Sequence, residues 1–152
     1  MAGKIDETDK RILNEMIKNH TARHSTLAKK MRLSSAAIHK RVKKLRHLGV
    51  LHGYAPRIDL RKLGFDLSVL IFIAMSKGKV EEFWNKYSEH PNICSIYNIS
   101  GKYDVVLVGK FHNTERLDEF VNRIVKEDFV ESTNTSLIFK TIRENFSPYP
   151  LV

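Results

Sequence analysis

Lys40, Arg41, Lys43, Lys44 and Arg46 place five permanent cations within seven consecutive residues. Such side chains do not make or break bonds; they hold anions, phosphates above all. Between Glu15 and Asp59 the chain contains no acidic residue, yet it carries eleven Lys and Arg, the others being Lys18, Arg23, Lys29, Lys30, Arg32 and Arg57. Residues 1–63 hold 16 basic against 5 acidic side chains, and residues 64–152 hold 10 against 12, so the net charge of +9 sits wholly in the N-terminal part. A lysine-rich face is ordinarily only a solvated one, but solvated helices mix signs and gain from opposite charges four residues apart. A stretch without acids accepts self-repulsion that a polyanion relieves, and release of condensed counterions then supplies affinity. Nucleic acid is the expected partner.

The other residues that could do chemistry are scattered. Cys94, the single cysteine, has no evident base nearby and reads as a small buried side chain; alone, it excludes an intrachain disulfide framework. His20 and His24 lie one helical turn apart in a basic connection and would supply at most half a metal site. Glu81-Glu82, and Glu115 with Asp118 and Glu119, fall at helix starts, where carboxylates meet the helix dipole favourably. No glycine-rich phosphate loop or nucleophile elbow occurs. We therefore expect neither an enzyme nor a metal or cofactor site.

The basic residues need a scaffold, and residue spacing describes one. Asp6, with Asp9 three residues on, can cap a first helix whose stripe is Ile12, Leu13, Met16 and Ile17. Ser25 is the expected N-cap of a short second helix, Thr26–Met31, which buries Leu27, Ala28 and Met31. After a tight Arg32-Leu33 turn, Ser34 can cap a third helix running to about Leu48, with Gly49 suited to the left-handed position that ends it. At about 100° per residue, Ile38, Val42 and Leu45 share one face. Ala36, His39, Lys40, Lys43 and His47 gather opposite, with Ser35 and Lys44 near the edges. A short turn between two helices, the second basic outside and apolar inside, describes a recognition helix for the major groove of double-stranded DNA. Its N-terminal turns reach bases, which points to Ser35, Ala36, His39 and Lys40, with the capping Ser34 also expected at the DNA; Lys43, Lys44 and Arg46 lie further along and suit phosphates.

Gly53–Asp66 reads as a connector with a short strand at Tyr54–Ile58, and the end of the basic excess places a domain boundary near residue 63. Leu67–Met75 is apolar and β-branched, as in a strand buried on both faces. Val80, Phe83, Trp84 and Tyr87 follow helical spacing in a segment ending near Pro91. Ile93–Ile99 and Tyr103–Phe111 form a hairpin through Ser100-Gly101-Lys102, and Thr114 caps a helix with an inner stripe of Leu117, Phe120, Val121, Ile124 and Val125. A last strand is expected over Val130–Ile142. The order βαββαβ is the ferredoxin-like arrangement, with both helices on one face of an antiparallel sheet. Its other face needs a cover, most simply a second copy. The longest apolar run, Val69–Met75, is far below the ~20 residues that span a bilayer. Met1–Lys18 lacks the continuous apolar stretch of a signal peptide, so a cytoplasmic location with no membrane partner is expected.

Taken together these pieces resemble the Lrp/AsnC (leucine-responsive, feast/famine) regulators. The matching residues are Ile5-Asp6, Asp9, Ile12-Leu13, Leu27-Ala28, Leu33-Ser34, Arg41-Val42-Lys43-Lys44-Leu45, Gly49-Val50-Leu51 and Gly53-Tyr54. Gly101-Lys102-Tyr103-Asp104, Val130 and Thr133-Asn134-Thr135 continue the match in the second half. The resemblance implies an α+β chain with a winged helix–turn–helix DNA-binding domain and connector over 1–63. A ferredoxin-like (RAM/ACT-like) domain for oligomerisation and effector binding follows over 64–152. It also implies a homodimer that can assemble to an octamer, and a small effector, commonly an amino acid, held by Gly101, Lys102, Tyr103, Asp104, Thr133 and Thr135. The family more commonly has an acidic residue where Lys102 follows the glycine. Two functions remain in play: a sequence-specific regulator modulated by an amino acid, and a nucleoid-type architectural protein with little sequence choice.

Overall fold

A computed structural model describes residues 4–19, 23–53, 56, 58–76 and 78–144. The fold divides into two compact units, one N-terminal to Ile58 and one over Ile58–Arg143.

The N-terminal unit contains three helices, α1 (Glu7–Lys18), α2 (His24–Met31) and α3 (Ser35–His47). Asp6 and Asp9 form a reciprocal capping box at α1: Asp6 accepts the Asp9 N–H at 2.8 Å, and Asp9 accepts the Asp6 N–H at 3.2 Å. Helix α2 begins two residues earlier than Ser25 as its cap would allow. Its N-cap is Arg23, whose carbonyl accepts the Thr26 and Leu27 N–H groups, and no side chain caps it. Arg32 then adopts the left-handed conformation at φ 56°, and the Leu33 N–H returns to the Ala28 carbonyl at 3.0 Å. That turn redirects the chain into α3. Helix α3 ends as its glycine requires: Gly49 has φ 66°, and the Val50 N–H closes on the Leu45 carbonyl. Ile12, Met16, Leu27, Ala28, Met31, Ile38 and Val42 make the core between the helices. Ile17, expected on the inner stripe, is 37% exposed at the last turn of α1.

A 3-10 turn at Leu60–Leu63, which periodicity did not reveal, leads into the second unit. The expected Tyr54–Ile58 strand falls largely outside the described residues, and His20 lies outside them too. The second unit runs β1 (Leu67–Met75), α4 (Val80–Tyr87), β2 (Ile93–Asn98), β3 (Val105–Phe111), α5 (Thr114–Val125) and β4 (Val130–Leu137). The strands form one antiparallel sheet in the order β2-β3-β1-β4, the ferredoxin-like order expected for βαββαβ.

Register decides what each face of the sheet presents. Val69, Ile71 and Ile73 pair with Gly109, Leu107 and Val105, and this face packs under α4 and α5 through Phe83, Tyr87, Phe120 and Ile124. Leu70 and Phe72 pair with Val108 and Val106 on the other face, where these side chains are only half-buried.

Four sequence expectations change at element edges. Strand β4 stops at Leu137 rather than Ile142, because Leu137 pairs with Val69 near the start of β1 and little partner strand remains beyond; Phe139 and Ile142 are fully exposed. Trp84 and Val125 lie at the margins of their helical stripes and are half-exposed. Cys94 is exposed rather than buried, since the β2–β3 register shifts between Ile93 and Ser95 and leaves Cys94 at the irregularity. No helix among the described residues is long and apolar enough to cross a membrane.

Candidate nucleic-acid interface and effector turn

The third helix is positioned from its first residue. Ser34 Oγ accepts the Ala37 N–H at 3.1 Å, a cap contributing about 1 kcal/mol. Ile38, Val42 and Leu45 are then buried against the other helices, and the opposite face is set by geometry. Ser34, Ser35, Ala36, His39, Lys40, Lys43 and Arg46 are all exposed. His39 meets the His24 ring of α2 edge-on, with centroids 5.6 Å apart. Lys40, Lys43 and Arg46 have no carboxylate partner among the described residues.

Arg41 and Lys44 are placed differently. Lys44 Nζ donates to Asp9 Oδ2 at 2.7 Å and to the Lys4 carbonyl at 2.8 Å, while Arg41 bonds Asp9 Oδ1 and Asp6 Oδ2, each at 2.7 Å. Asp9 is fully buried. Burial pushes its carboxyl upward, but Lys44 and Arg41 outweigh that and hold it below the ordinary carboxylate range. Asp6 is held low chiefly by its bond to Arg41. Two cations of the basic helix thus clamp it to the start of α1. Sequence reasoning assigned Asp6 and Asp9 to capping and missed this clamp, although Arg41 and Lys44, three residues apart, already shared one helical face.

In the second unit, the residues of the hairpin turn converge on the end of β1. Gly101 takes φ +115°, a conformation that L side chains rarely adopt. The Asp104 N–H donates to the Ile73 carbonyl at 2.9 Å, and its carbonyl accepts the Ile99 N–H at 2.8 Å. Its Oδ2 accepts the Met75 N–H at 2.7 Å, so Asp104 closes the sheet end. Lys102 Nζ lies 5.3 Å from the Tyr103 ring centroid, and Tyr103 sits against Phe72 on the open sheet face. Thr133 and Thr135 pair with Ile73 and Ile71 on the far side of β1. They share the sheet end with the turn, but their side chains follow the helix-covered face rather than that of Phe72 and Tyr103. Among the described residues no three His, Cys, Asp or Glu gather as a metal site.

A model of the AsnC-type helix-turn-helix domain matches residues 5–46, and a model of the Lrp/AsnC ligand binding domain matches residues 68–148. The chain belongs to the Lrp/AsnC family. This Lrp/AsnC chain is 33% identical over 145 residues to an uncharacterised HTH-type transcriptional regulator of Pyrococcus furiosus, covering 93% of each chain. It is 31% identical over 140 residues to the HTH-type transcriptional regulator FL11 of Pyrococcus horikoshii, covering 92% of this chain and 93% of that relative. Among solved structures, a Neisseria meningitidis regulator in complex with L-Met has a TM-score of 0.87 at 23% identity, over 95% of this chain and 96% of that one. E. coli AsnC has a TM-score of 0.85 at 23% identity, over 94% and 97%. At that identity the structural likenesses establish the fold. The Lrp/AsnC protein is a transcriptional regulator and not an enzyme.

Proposed function

We propose that this regulator binds particular double-stranded DNA sequences as a homodimer and that an amino acid or similar small effector modulates its assembly or binding. The observation that carries the reading is the exposed face of α3, where Lys40, Lys43 and Arg46 stand without carboxylate partners opposite a buried Ile38–Val42–Leu45 stripe. Ser35, Ala36, His39 and Lys40 reach base edges from the first turns, and Ser34 stands beside them at the cap. Lys43 and Arg46 hold phosphates, and Lys44, expected among them from its place on the helix, instead fixes the angle of α3 through Asp9. Residues 1–63 form the DNA-binding part and residues 64–152 the oligomerisation and effector part, in the cytoplasm.

The open sheet face supports dimerisation. Leu70, Phe72, Val106 and Val108 form a contiguous apolar patch on the central strands, with Tyr97 beside it. A second copy would bury it, and further assembly to an octamer is compatible with the fold. For the effector, the backbone of the Gly101–Lys102–Tyr103 turn offers N–H groups to a carboxylate. Asp104 Oδ1, which accepts no bond among the described residues, suits an α-ammonium. Thr133 and Thr135, which the family resemblance adds to this set, lie on neighbouring β4 with their side chains on the other face of the sheet, so the turn and Asp104 carry the proposal. L-Met occupies the Neisseria meningitidis relative, which supports an amino acid as ligand here.

Arg23, Lys29 and Arg32 are also exposed and extend the cationic surface beyond α3, which favours the architectural reading as a second possibility. One experiment separates them. Duplexes selected from a random pool, with and without the twenty amino acids, should converge on a motif that survives about a 10³-fold excess of random DNA. Failure to converge assigns the protein to architectural binding.

A further inference from the structure

The C-terminal unit carries a cleft of about 370 Å³ at the sheet end opposite the Gly101–Asp104 turn, a strand length (~20 Å) away. Its volume lies within the range of small-molecule sites. Two ring pairs wall it: Phe65 against His112, with centroids 4.0 Å apart, and His90 against Phe120 at 4.6 Å. Both imidazoles are anchored. His112 Nδ1 donates to the Gly64 carbonyl at 2.7 Å, and His90 Nδ1 accepts the Asn92 N–H at 3.3 Å. Burial, and then the charge of Arg123, hold the His90 pKa below its ordinary value, so this ring is a neutral wall at pH 7.

The charge in the cleft comes from α5. Arg116 and Arg123, two helical turns apart, project from one side of that helix. Arg116 bonds Glu119 at 2.9 Å, and the two cancel. Arg123 lines the cleft and has no carboxylate partner among the described residues. A guanidinium beside flat rings matches a ligand with a carboxylate at one edge and a planar apolar body. An amino acid matches poorly, because its α-ammonium needs an acceptor and Glu119 is already held by Arg116.

We propose that this cleft is a second small-molecule site, distinct from the effector turn, that takes a planar monocarboxylate of arylacetate size. Arg123 holds the carboxylate, and Phe65 with the His90 and His112 imidazoles holds the ring, Phe120 backing His90 from the core. The test is calorimetric titration of the full chain with phenylacetate and with its neutral amide, phenylacetamide. Phenylacetate should bind saturably with a dissociation constant below about 1 mM, and the amide at least about tenfold more weakly. Arg123→Gln, a change at an exposed helix position, should weaken phenylacetate about tenfold, whereas Lys102→Ala at the turn should leave it unchanged. The proposal is overturned by absence of saturation up to about 10 mM, by equal binding of acid and amide, or by Arg123→Gln binding as tightly as the wild type. Loss of binding in Lys102→Ala but not in Arg123→Gln would overturn it as well, by moving the ligand to the turn.

Discussion

The Asp9 carboxylate and the Lys44 ammonium, 35 positions apart in sequence, meet at 2.7 Å, with Asp9 fully buried and Arg41 on its other oxygen. This contact fixes the roll of α3 about its own axis relative to α1. The apolar stripe sets which side of α3 faces inward; the clamp sharpens that setting and holds the basic face at one angle.

Asp9→Asn should therefore cost more than a surface charge would. Two cations would lose their shared counter-charge beside a buried amide, a loss on the order of 3 kcal/mol. Chemical denaturation measures it, and an unchanged unfolding midpoint would show that the clamp contributes no stability. DNA affinity should fall with it, since the helix would no longer be held in one orientation.

Acid should produce a related effect. The folded pKa of Asp9 lies below its unfolded value, because Lys44 and Arg41 prevail over burial. A depressed carboxylate contributes stability that is fully present above its unfolded pKa, near 4, and is lost as pH falls through the folded pKa. Wild-type stability should drop in that acidic window, and Asp9→Asn should drop less there. Parallel curves for the two proteins between about pH 5 and pH 2 would contradict the linkage.

On DNA, Lys43→Ala should weaken all duplexes alike and reduce the salt slope by about one unit. Lys40→Ala and His39→Ala should instead change which sequence is preferred. Binding selections on the three variants check this. A shift in preference from Lys43→Ala alone would mean that the helix enters the groove in another register.

The open sheet face gives a prediction about assembly. Val108, opposite Leu70 in the sheet, is only half-buried in the single chain. Val108→Asp should leave the fold intact yet place a charge in the proposed interface, giving monomers at micromolar concentration by sedimentation. A dimer that persists would move the interface elsewhere.

At the turn, Asp104→Asn keeps an acceptor for the Met75 N–H while removing the charge. Effector affinity should fall by about ten- to a hundredfold, equivalent to roughly 1.5–3 kcal/mol, with DNA binding in the absence of ligand preserved. Calorimetry with whichever amino acid binds the wild type is the measurement. Equal affinity in the variant would leave Asp104 as the closure of the sheet end only.

Several features were legible from residues alone because the physics behind them is local. The caps at Asp6 and Ser34, the stop at Gly49 and the bounds of β1 at Leu67 and Met75 depend on neighbours within a few positions. So do the inner stripe of α3 and the confinement of positive charge to the N-terminal part. The order of elements then left the ferredoxin-like arrangement as the natural solution for two amphipathic helices and four strands.

The remainder depended on contacts that no local pattern encodes. Cys94 is exposed because β2 slips against β3, and β4 ends at Leu137 because β1 supplies little partner beyond it. Thr133 and Thr135 fall on the helix-covered face because of the register with Ile73 and Ile71. Above all, five cations in α3 look equivalent in sequence, yet two of them are drawn onto carboxylates of α1. Composition alone determined that this protein carries a basic helix. Which of its charges remain available to a phosphate was decided only when α1 and α3 packed together, because an ion pair between residues 35 positions apart exists only in the folded chain.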